Sequence, residues 1–283
     1  MKTLKYAVGI IIAVFALVAI FSFMILSKDE NKVVNINYSI EQVWELPKEL
    51  KEVSGIAWLK DGKIASVQDE EGIIFIYHLE KRKIVDEINF AEEGDYEGIA
   101  INDDDAYVLR SDGTIFEILD FRGSNKSTNN FDTGFSAKNN METLEIDKKD
   151  NNLIIAPKDR DRTKDFKGLY QISINSRKTE AIPKIKINMN DAAFKNKKRQ
   201  KLYNSFNPSD MAIHPKTGEY YVLEGINPKL MILNKSGAIK KIYELDKKSF
   251  AQPEGITFGA DGTLYISNEA GDNAANIMEI SLK

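Results

Sequence analysis

The chain has 283 residues, of which 42% are apolar and 29% charged, an ordinary composition for a folded protein. Its net charge is −4, and residues 33–283 carry 35 basic and 41 acidic side chains, so a nucleic-acid partner is not expected. It contains no cysteine, which excludes disulfides, thiolate metal sites, a cysteine nucleophile and a lipidated cysteine.

The first predicted element is a transmembrane helix. Residues 6–26 contain no charged side chain, and this stretch meets the length of about 20 apolar residues that a helix needs to cross a bilayer. It ends in Phe23-Met24-Ile25-Leu26, where a cleavable signal needs small residues, so an uncleaved anchor is favoured over a cleaved signal. We expect residues 1–27 to form this anchor with a short cytoplasmic end. The body of the protein is then expected outside the cytoplasm, in the periplasm or at the cell exterior.

A short polar tether, residues 28–36, follows the anchor. Residues 37–46 then have the composition of a β-strand, and residues 37–283 are predicted to form one domain.

That domain contains five similar apolar phrases, each behind an acidic or hydroxyl residue. Their starts lie 43, 45, 67 and 45 residues apart. A repeat of about 40–50 residues made of short β-like runs is typical of β-propeller blades. The phrases are Ser54-Gly-Ile-Ala-Trp, Glu97-Gly-Ile-Ala-Ile, Glu142-Thr-Leu-Glu-Ile, Ser209-Asp-Met-Ala-Ile and Glu254-Gly-Ile-Thr-Phe.

Each phrase is followed by a turn rich in Asp, Asn and Gly and by two further strand-like runs, as expected for antiparallel hairpins. The fold class predicted is therefore all-β, a β-propeller of five blades with four antiparallel strands each. The fifth blade lacks a fourth run, and the strand at 37–46 can fill that place and close the ring. The wide gap between the third and fourth phrases leaves six blades as an alternative. Within that gap, the basic run at 195–201 is expected to be a solvated surface helix on the rim rather than an anion-binding patch.

In a propeller, residues just before the first strand and just after the second strand of each blade meet around one opening of the central channel, here called the mouth. Candidate ligand residues from the second strands are Asp69, Arg110, Lys158, Glu224 and Glu269.

Candidate metal ligands from the phrases are Glu97, Glu142, Asp210 and Glu254. Carboxylates that converge on one axis repel each other unless a cation lies among them. Calcium, which takes six to eight oxygen ligands, is the cofactor this set would suit. Arg110 and Lys158 are an alternative source of positive charge that needs no metal. A third reading is purely structural, with the acids holding neighbouring blades together.

Other catalytic signatures are missing from the sequence. His78 and His214 lie outside any H-E-x-x-H motif, and there is no G-x-S-x-G, P-loop or G-x-G-x-x-G.

The anchor, the five phrases, Asp69-Glu70 and Asn268-Glu269 together resemble the SdiA-regulated domain family of bacterial envelope proteins. The resemblance covers roughly residues 37–283. It implies a propeller without assigning an activity, and it carries over Glu97, Glu142 and Glu254 as phrase-start acids. It also carries over Asp69, Lys158, Glu224 and Glu269 as mouth residues. Ser54 and Ser209 replace the acid in two blades, which departs from a five-fold carboxylate ring.

The sequence thus favours a membrane-anchored propeller that binds a small ligand, a cation or a protein at its mouth. The alternative function is a metal-dependent hydrolase of the lactonase, esterase or phytase-like kind, in which the metal would activate water.

Overall fold

The computed structural model describes residues 37–194, 206–271 and 273–283. These residues form a five-bladed β-propeller, which confirms the predicted fold and shows that the six-blade alternative is wrong. The predicted transmembrane segment at 6–26 and the basic run at 195–201 lie outside the described residues. Within the described ranges, no helix has the length and apolarity needed to cross a membrane.

The strands follow one another along the chain in blade order. The N-terminal strand is β1, Tyr38–Glu45. Blade 1 contains β2–β5, at Val53–Trp58, Lys63–Gln68, Ile73–His78 and Lys83–Asn89. Blade 2 contains β6–β9, at Tyr96–Asn102, Asp105–Arg110, Thr114–Leu119 and Ser127–Asp132.

Blade 3 is the least regular. Its strands β10–β14 are Met141–Asp147, Asn152–Pro157, Phe166–Ser173, Lys178–Thr179 and Ile185–Asn188. Two short strands, β13 and β14, share the outer position by pairing with different parts of β12. These two strands therefore account for part of the wide spacing between the third and fourth phrases.

Blade 4 contains β15–β18, at Pro208–Ile213, Tyr220–Glu224, Lys229–Leu233 and Ile239–Glu244. Blade 5 contains β19–β21, at Pro253–Phe258, Leu264–Asn268 and Asn276–Leu282. Its outer place is taken by β1, which pairs antiparallel with β21 from Tyr38 opposite Leu282 to Glu45 opposite Asn276. The predicted closure of the ring by the N-terminal strand is confirmed.

The apolar core lies between the blades. Five clusters of buried side chains each join two adjacent blades, so each sheet packs both its faces against its neighbours. Between blades 1 and 2, for example, Phe90, Tyr96 and Phe116 meet edge to face with ring centroids 4.9 to 5.6 Å apart. Edge-to-face contacts of this kind add to the burial of the rings themselves.

The end of the propeller away from the mouth, here called the lower rim, consists of tight hairpins. In every blade the hairpin between the first and second strand has a residue with positive φ, which confirms the predicted turn chemistry. These residues are Asp61 with Gly62, Asp103, Asn151, Gly218 and Gly262.

Candidate functional site

Each innermost strand is interrupted by a β-bulge at the mouth. The register between the first and second strand of each blade shifts at the start of the repeated phrase, so that the phrase-start residue has no partner across the hairpin. These unpaired residues are Ser54 with Gly55, Glu97, Glu142, Ser209 and Glu254. A bulge re-aims a side chain away from the regular alternation of the strand. Each repeated phrase in the sequence therefore marks the position of a β-bulge.

The bulges bring the two sets of predicted residues together. Directly before each bulge, the first strand pairs with the end of the second strand, for example Tyr96 with Arg110 and Pro253 with Asn268. The loops that follow the second strands therefore start beside the unpaired acids.

Lys158 lies at the centre of the cluster of acids at the mouth. Its Nζ lies 2.6 Å from Glu142 Oε2 and 3.9 Å from Glu254 Oε2. Glu97 is close enough to interact electrostatically with both Lys158 and Glu254. Glu142 Oε1 also accepts a hydrogen bond of 2.9 Å from Asn140 Nδ2, which fixes the carboxylate against the lysine. Three of the four predicted metal ligands are thus gathered around one ammonium group.

The protonation of this cluster is strongly perturbed. Burial raises the pKa of Glu97 to about 8, and neighbouring Asp95 and Glu254 add to that rise. Burial and the nearby carboxylates likewise raise the pKa of Glu142. Burial is also the main cause of the raised pKa of Glu254. The pKa of Lys158 is raised although burial opposes its charge, because Glu142 and Glu254 surround it. The cluster therefore holds more carboxyl groups than a single lysine can keep ionised.

A second group of acids lies outside the first. Burial raises the pKa of Glu269 to about 8, and a hydrogen bond with the Glu52 carboxylate adds to this. Burial, followed by the charges of Glu52 and Glu70, raises the pKa of Asp69. Gln252 donates a hydrogen bond to Glu269 and also interacts with Glu254, which links the two groups.

Beside these acids lies a pocket with a charged lining. Its lining residues are Lys48, Glu49, Lys51, Glu52, Gln68 and Glu70. The lining does not include Lys158, Glu142 or Glu254, so this pocket and the cluster around Lys158 are separate features.

The remaining predicted ligand residues lie in separate pairs. Arg110 donates to Asp112 at 2.7 Å and stands over the ring of Phe116, 5.4 Å from its centroid. Glu224 accepts from Lys229 at 2.6 Å, and both side chains are buried. These contacts lie within single blades and serve to hold the loops of the mouth.

Asp210 is separated from the other predicted metal ligands. It follows the bulge rather than occupying it, and its Oδ2 accepts a hydrogen bond of 2.9 Å from the backbone N–H of Ile256 in the next blade. Within the described ranges, no group of three or more His, Asp or Glu side chains is arranged to hold a metal ion.

Sequence reasoning missed several charged residues of the site. Lys167 is fully buried and donates to the carbonyl oxygens of Lys158 and Asp159, so it shapes the loop that presents Lys158. Burial lowers the pKa of Lys167 to about 8. Lys167 lies in the third strand of blade 3, and its position in the repeat did not predict a functional role. A side chain that contacts a preceding loop cannot be identified from the repeat pattern alone.

The SdiA-regulated family matches the chain over residues 30–271. A search among curated proteins returned no match.

Solved structures share the fold at low identity. Glutaminyl cyclase of Myxococcus xanthus has a TM-score of 0.59 at 11% identity, over 87% of this chain and 96% of that one. The PQQ-bound aldose sugar dehydrogenase of Streptomyces coelicolor has a TM-score of 0.54 at 12% identity, over 87% and 98%. A streptogramin B lyase has a TM-score of 0.50 at 13% identity, over 88% and 99%. These likenesses concern the fold alone, since one scaffold carries many activities.

Proposed function

The chain belongs to the SdiA-regulated family, and we propose that it is a binding module whose channel mouth takes a cation or a cationic small molecule. The observation that carries this proposal is the position of Lys158, whose ammonium group is held between Glu142 and Glu254 with Glu97 nearby. Asp69, Glu52 and Glu269 lie outside this cluster.

The crowded carboxyl groups of the mouth favour a cationic ligand. Each added positive charge relieves repulsion between carboxyl groups whose pKa values are already raised. Calcium is the metal we propose, because the available donors are hard oxygens. A metal at the centre would have to displace the ammonium of Lys158, whereas an organic cation can contact the outer acids with Lys158 in place.

Titration calorimetry of the full-length protein in mild detergent tests this proposal, with calcium chloride and 1,4-diaminobutane as separate probes. We expect Glu142→Gln to weaken calcium binding by about tenfold or more, since affinity follows the charge of the ligands. Lys158→Met should strengthen it, because the competing ammonium is gone. Glu219→Gln, at the lower rim, is the matched control and should leave both titrations unchanged. Absence of heat from both probes at millimolar concentration would contradict the proposal.

A metal-dependent hydrolase is the second candidate. It is favoured by one feature, a Glu97 carboxyl whose pKa of about 8 lies near neutral pH, as suits a general acid or base. A panel of lactones, esters and phosphate esters, assayed with and without EDTA, separates the two functions. Hydrolysis that is lost in both Glu97→Gln and Glu142→Gln would establish catalysis. Hydrolysis at the wild-type rate in both variants would reject catalysis by these residues.

We also propose that residues 6–26 anchor the protein in a membrane with the propeller outside the cytoplasm. The support is the uncharged stretch of 21 residues and its bulky end. Retention in the membrane fraction after an alkaline carbonate wash, with cleavage of the propeller by protease added from outside, is the expected result. Release by the wash would contradict the anchor.

A further inference from the structure

Directly after the phrase-start residues, the five inner strands come together at a ring of equivalent positions. These are Gly55, Gly98, Thr143, Asp210 and Gly255. A Cβ at Gly55 would lie 2.8 Å from Glu97 O, and one at Gly98 would lie 2.8 Å from Glu142 O, each in the next blade. Three blades therefore leave no room for a side chain here, whereas blades 3 and 4 insert a polar one.

Asp210 reaches three inner strands from this ring. Its Oδ2 accepts the N–H of Ile256 in blade 5 at 2.9 Å, and the amides of Met211 in blade 4 and Leu144 in blade 3 also stabilise its charge. The side chain is only 2% exposed. Its carboxyl group therefore lies where the strands converge on the channel axis, deeper than the acids of the mouth.

Two buried oxygens at this level lack a partner. Asp210 Oδ1 and Thr143 Oγ1 make no hydrogen bond to any residue in the described ranges. In either of its protonation states Asp210 Oδ1 needs a partner: a donor or cation for the carboxylate, an acceptor for the acid. Buried polar atoms are rarely left unpaired, because desolvation without compensation costs free energy.

A second carboxyl group faces the same region. Glu145 lies two residues after Thr143 on β10, so the two side chains share one face of that strand. Glu145 interacts with the backbone of Ile213, on the strand that carries Asp210, and electrostatically with Asp210 itself. It keeps part of its surface accessible although it lies in the middle of an innermost strand, as expected for a side chain that borders the channel.

We propose that Asp210, Thr143 and Glu145 form an axial site for one hard cation of calcium size, separate from the mouth. The donors are two carboxyl groups and a hydroxyl, the oxygen types that calcium prefers, and backbone carbonyls or water complete its coordination. A water molecule or a cation can satisfy both Asp210 Oδ1 and Thr143 Oγ1, but only a cation also compensates the charge of two acids in one channel. The site does not depend on the function proposed for the mouth.

Binding stoichiometry tests this inference. The full-length protein is first treated with EDTA and then equilibrated with calcium chloride in dialysis. We expect Asp210→Asn to remove one equivalent of calcium or weaken its binding by about tenfold or more, since ligand charge sets affinity. The asparagine keeps an oxygen that accepts the Ile256 N–H, so the blade contact survives.

Thr143→Val and Glu145→Gln provide the independent variants in case Asp210→Asn does not fold, and both should weaken the same equivalent. Glu142→Gln distinguishes the two sites, because it should affect only calcium at the mouth. If the mouth binds no calcium, the wild type should still bind one equivalent that Asp210→Asn loses. An equal stoichiometry and affinity in wild type, Asp210→Asn and Thr143→Val would leave an axial water only and overturn the inference.

Discussion

The mouth and the lower rim are the two ends of the same five inner strands, yet the acids at the bulges of the mouth and those of the lower hairpins behave in opposite ways. At the lower rim the pKa of Glu219 is lowered by a hydrogen bond from Lys240, and that of Asp261 by the backbone N–H of Thr263. At the mouth, burial raises the pKa values of Glu97 and Glu254. The sequence uses acids at both ends, but only one end places them where their charge is costly.

The backbone explains this difference. Lower-rim acids stand in tight hairpins, where Asp261 accepts the backbone N–H of Thr263 and Glu219 pairs with Lys240. The acids of the mouth stand at bulges, which turn them towards the axis and towards each other. A costly arrangement of charge at one end of a symmetric scaffold is the feature that separates a candidate site from turn chemistry.

Removal of the central lysine should give the largest effect. Lys158→Met leaves Glu142 and Glu254 buried without their ammonium partner, and breaking a buried ion pair in this way costs about 3–5 kcal/mol. The loss should be largest near pH 8 and smaller near pH 5.5, where the acids can take up protons. Urea unfolding at both pH values measures it.

The matched control is Lys240→Met at the lower rim, where the lysine side chain is 51% exposed. An exposed pair contributes about 0–1 kcal/mol, so this variant should unfold almost as the wild type does. Similar losses of stability in Lys158→Met and Lys240→Met would mean that the lysine at the mouth stabilises the fold no more than the lysine at the lower rim.

A pair of glycines compares the packing of the two ends. A Cβ on Gly98 would lie 2.7 Å from Leu144 Cβ and 2.8 Å from Glu142 O, so Gly98→Ala should force the inner strands apart at a cost of about 1–3 kcal/mol. Gly62 in a lower hairpin has φ +65° and no neighbour within 4 Å of that position. Gly62→Ala should therefore cost only about 1 kcal/mol of backbone strain.

Urea unfolding of both variants, with calcium titration of each, makes this comparison. Gly98→Ala should also weaken ligand binding, because it displaces Glu142, whereas Gly62→Ala should not. Loss of calcium binding in Gly62→Ala alone would show that the calcium site lies at the lower rim rather than at the mouth.

The repeat made the scaffold predictable, because blade number, ring closure and hairpin chemistry depend on local patterns that recur along the chain. Lys158 and the phrase-start acids could also be placed at the mouth, since propeller geometry fixes where strands begin and end. The bulges could not be predicted, because a residue that slips out of register looks in sequence like one that stays in it.

The separate role of Asp210 was hidden for the same reason. It stands one place after Ser209, where three other blades have glycine, so the alignment of the phrases located the position without showing which way its side chain points. Lys229 and Lys167 were missed because their partners lie across loops. Such contacts depend on three-dimensional packing rather than on periodicity.

The pH dependence of stability is the last comparison, and its sign distinguishes the two ends. Glu97 and Glu269 have folded-state pKa values of about 8 against an ordinary value near 4.5, so the folded protein binds more protons than the unfolded chain between these limits. Their contribution to stability is therefore fully present below about pH 4.5 and is lost as pH rises to about 8. Glu219 and Asp261 have lowered pKa values, so what they contribute is present above their unfolded pKa values, near 4, and falls away in more acidic solution. We expect the melting temperature to be highest near pH 5 to 6, about where these two trends cross, and to fall towards pH 8. Glu97→Gln should flatten that fall because its side chain no longer titrates, whereas Glu219→Gln should leave it unchanged. Melting curves that rise from pH 5.5 to pH 8 in the wild type would show that the acids of the mouth are ionised in the folded protein without penalty.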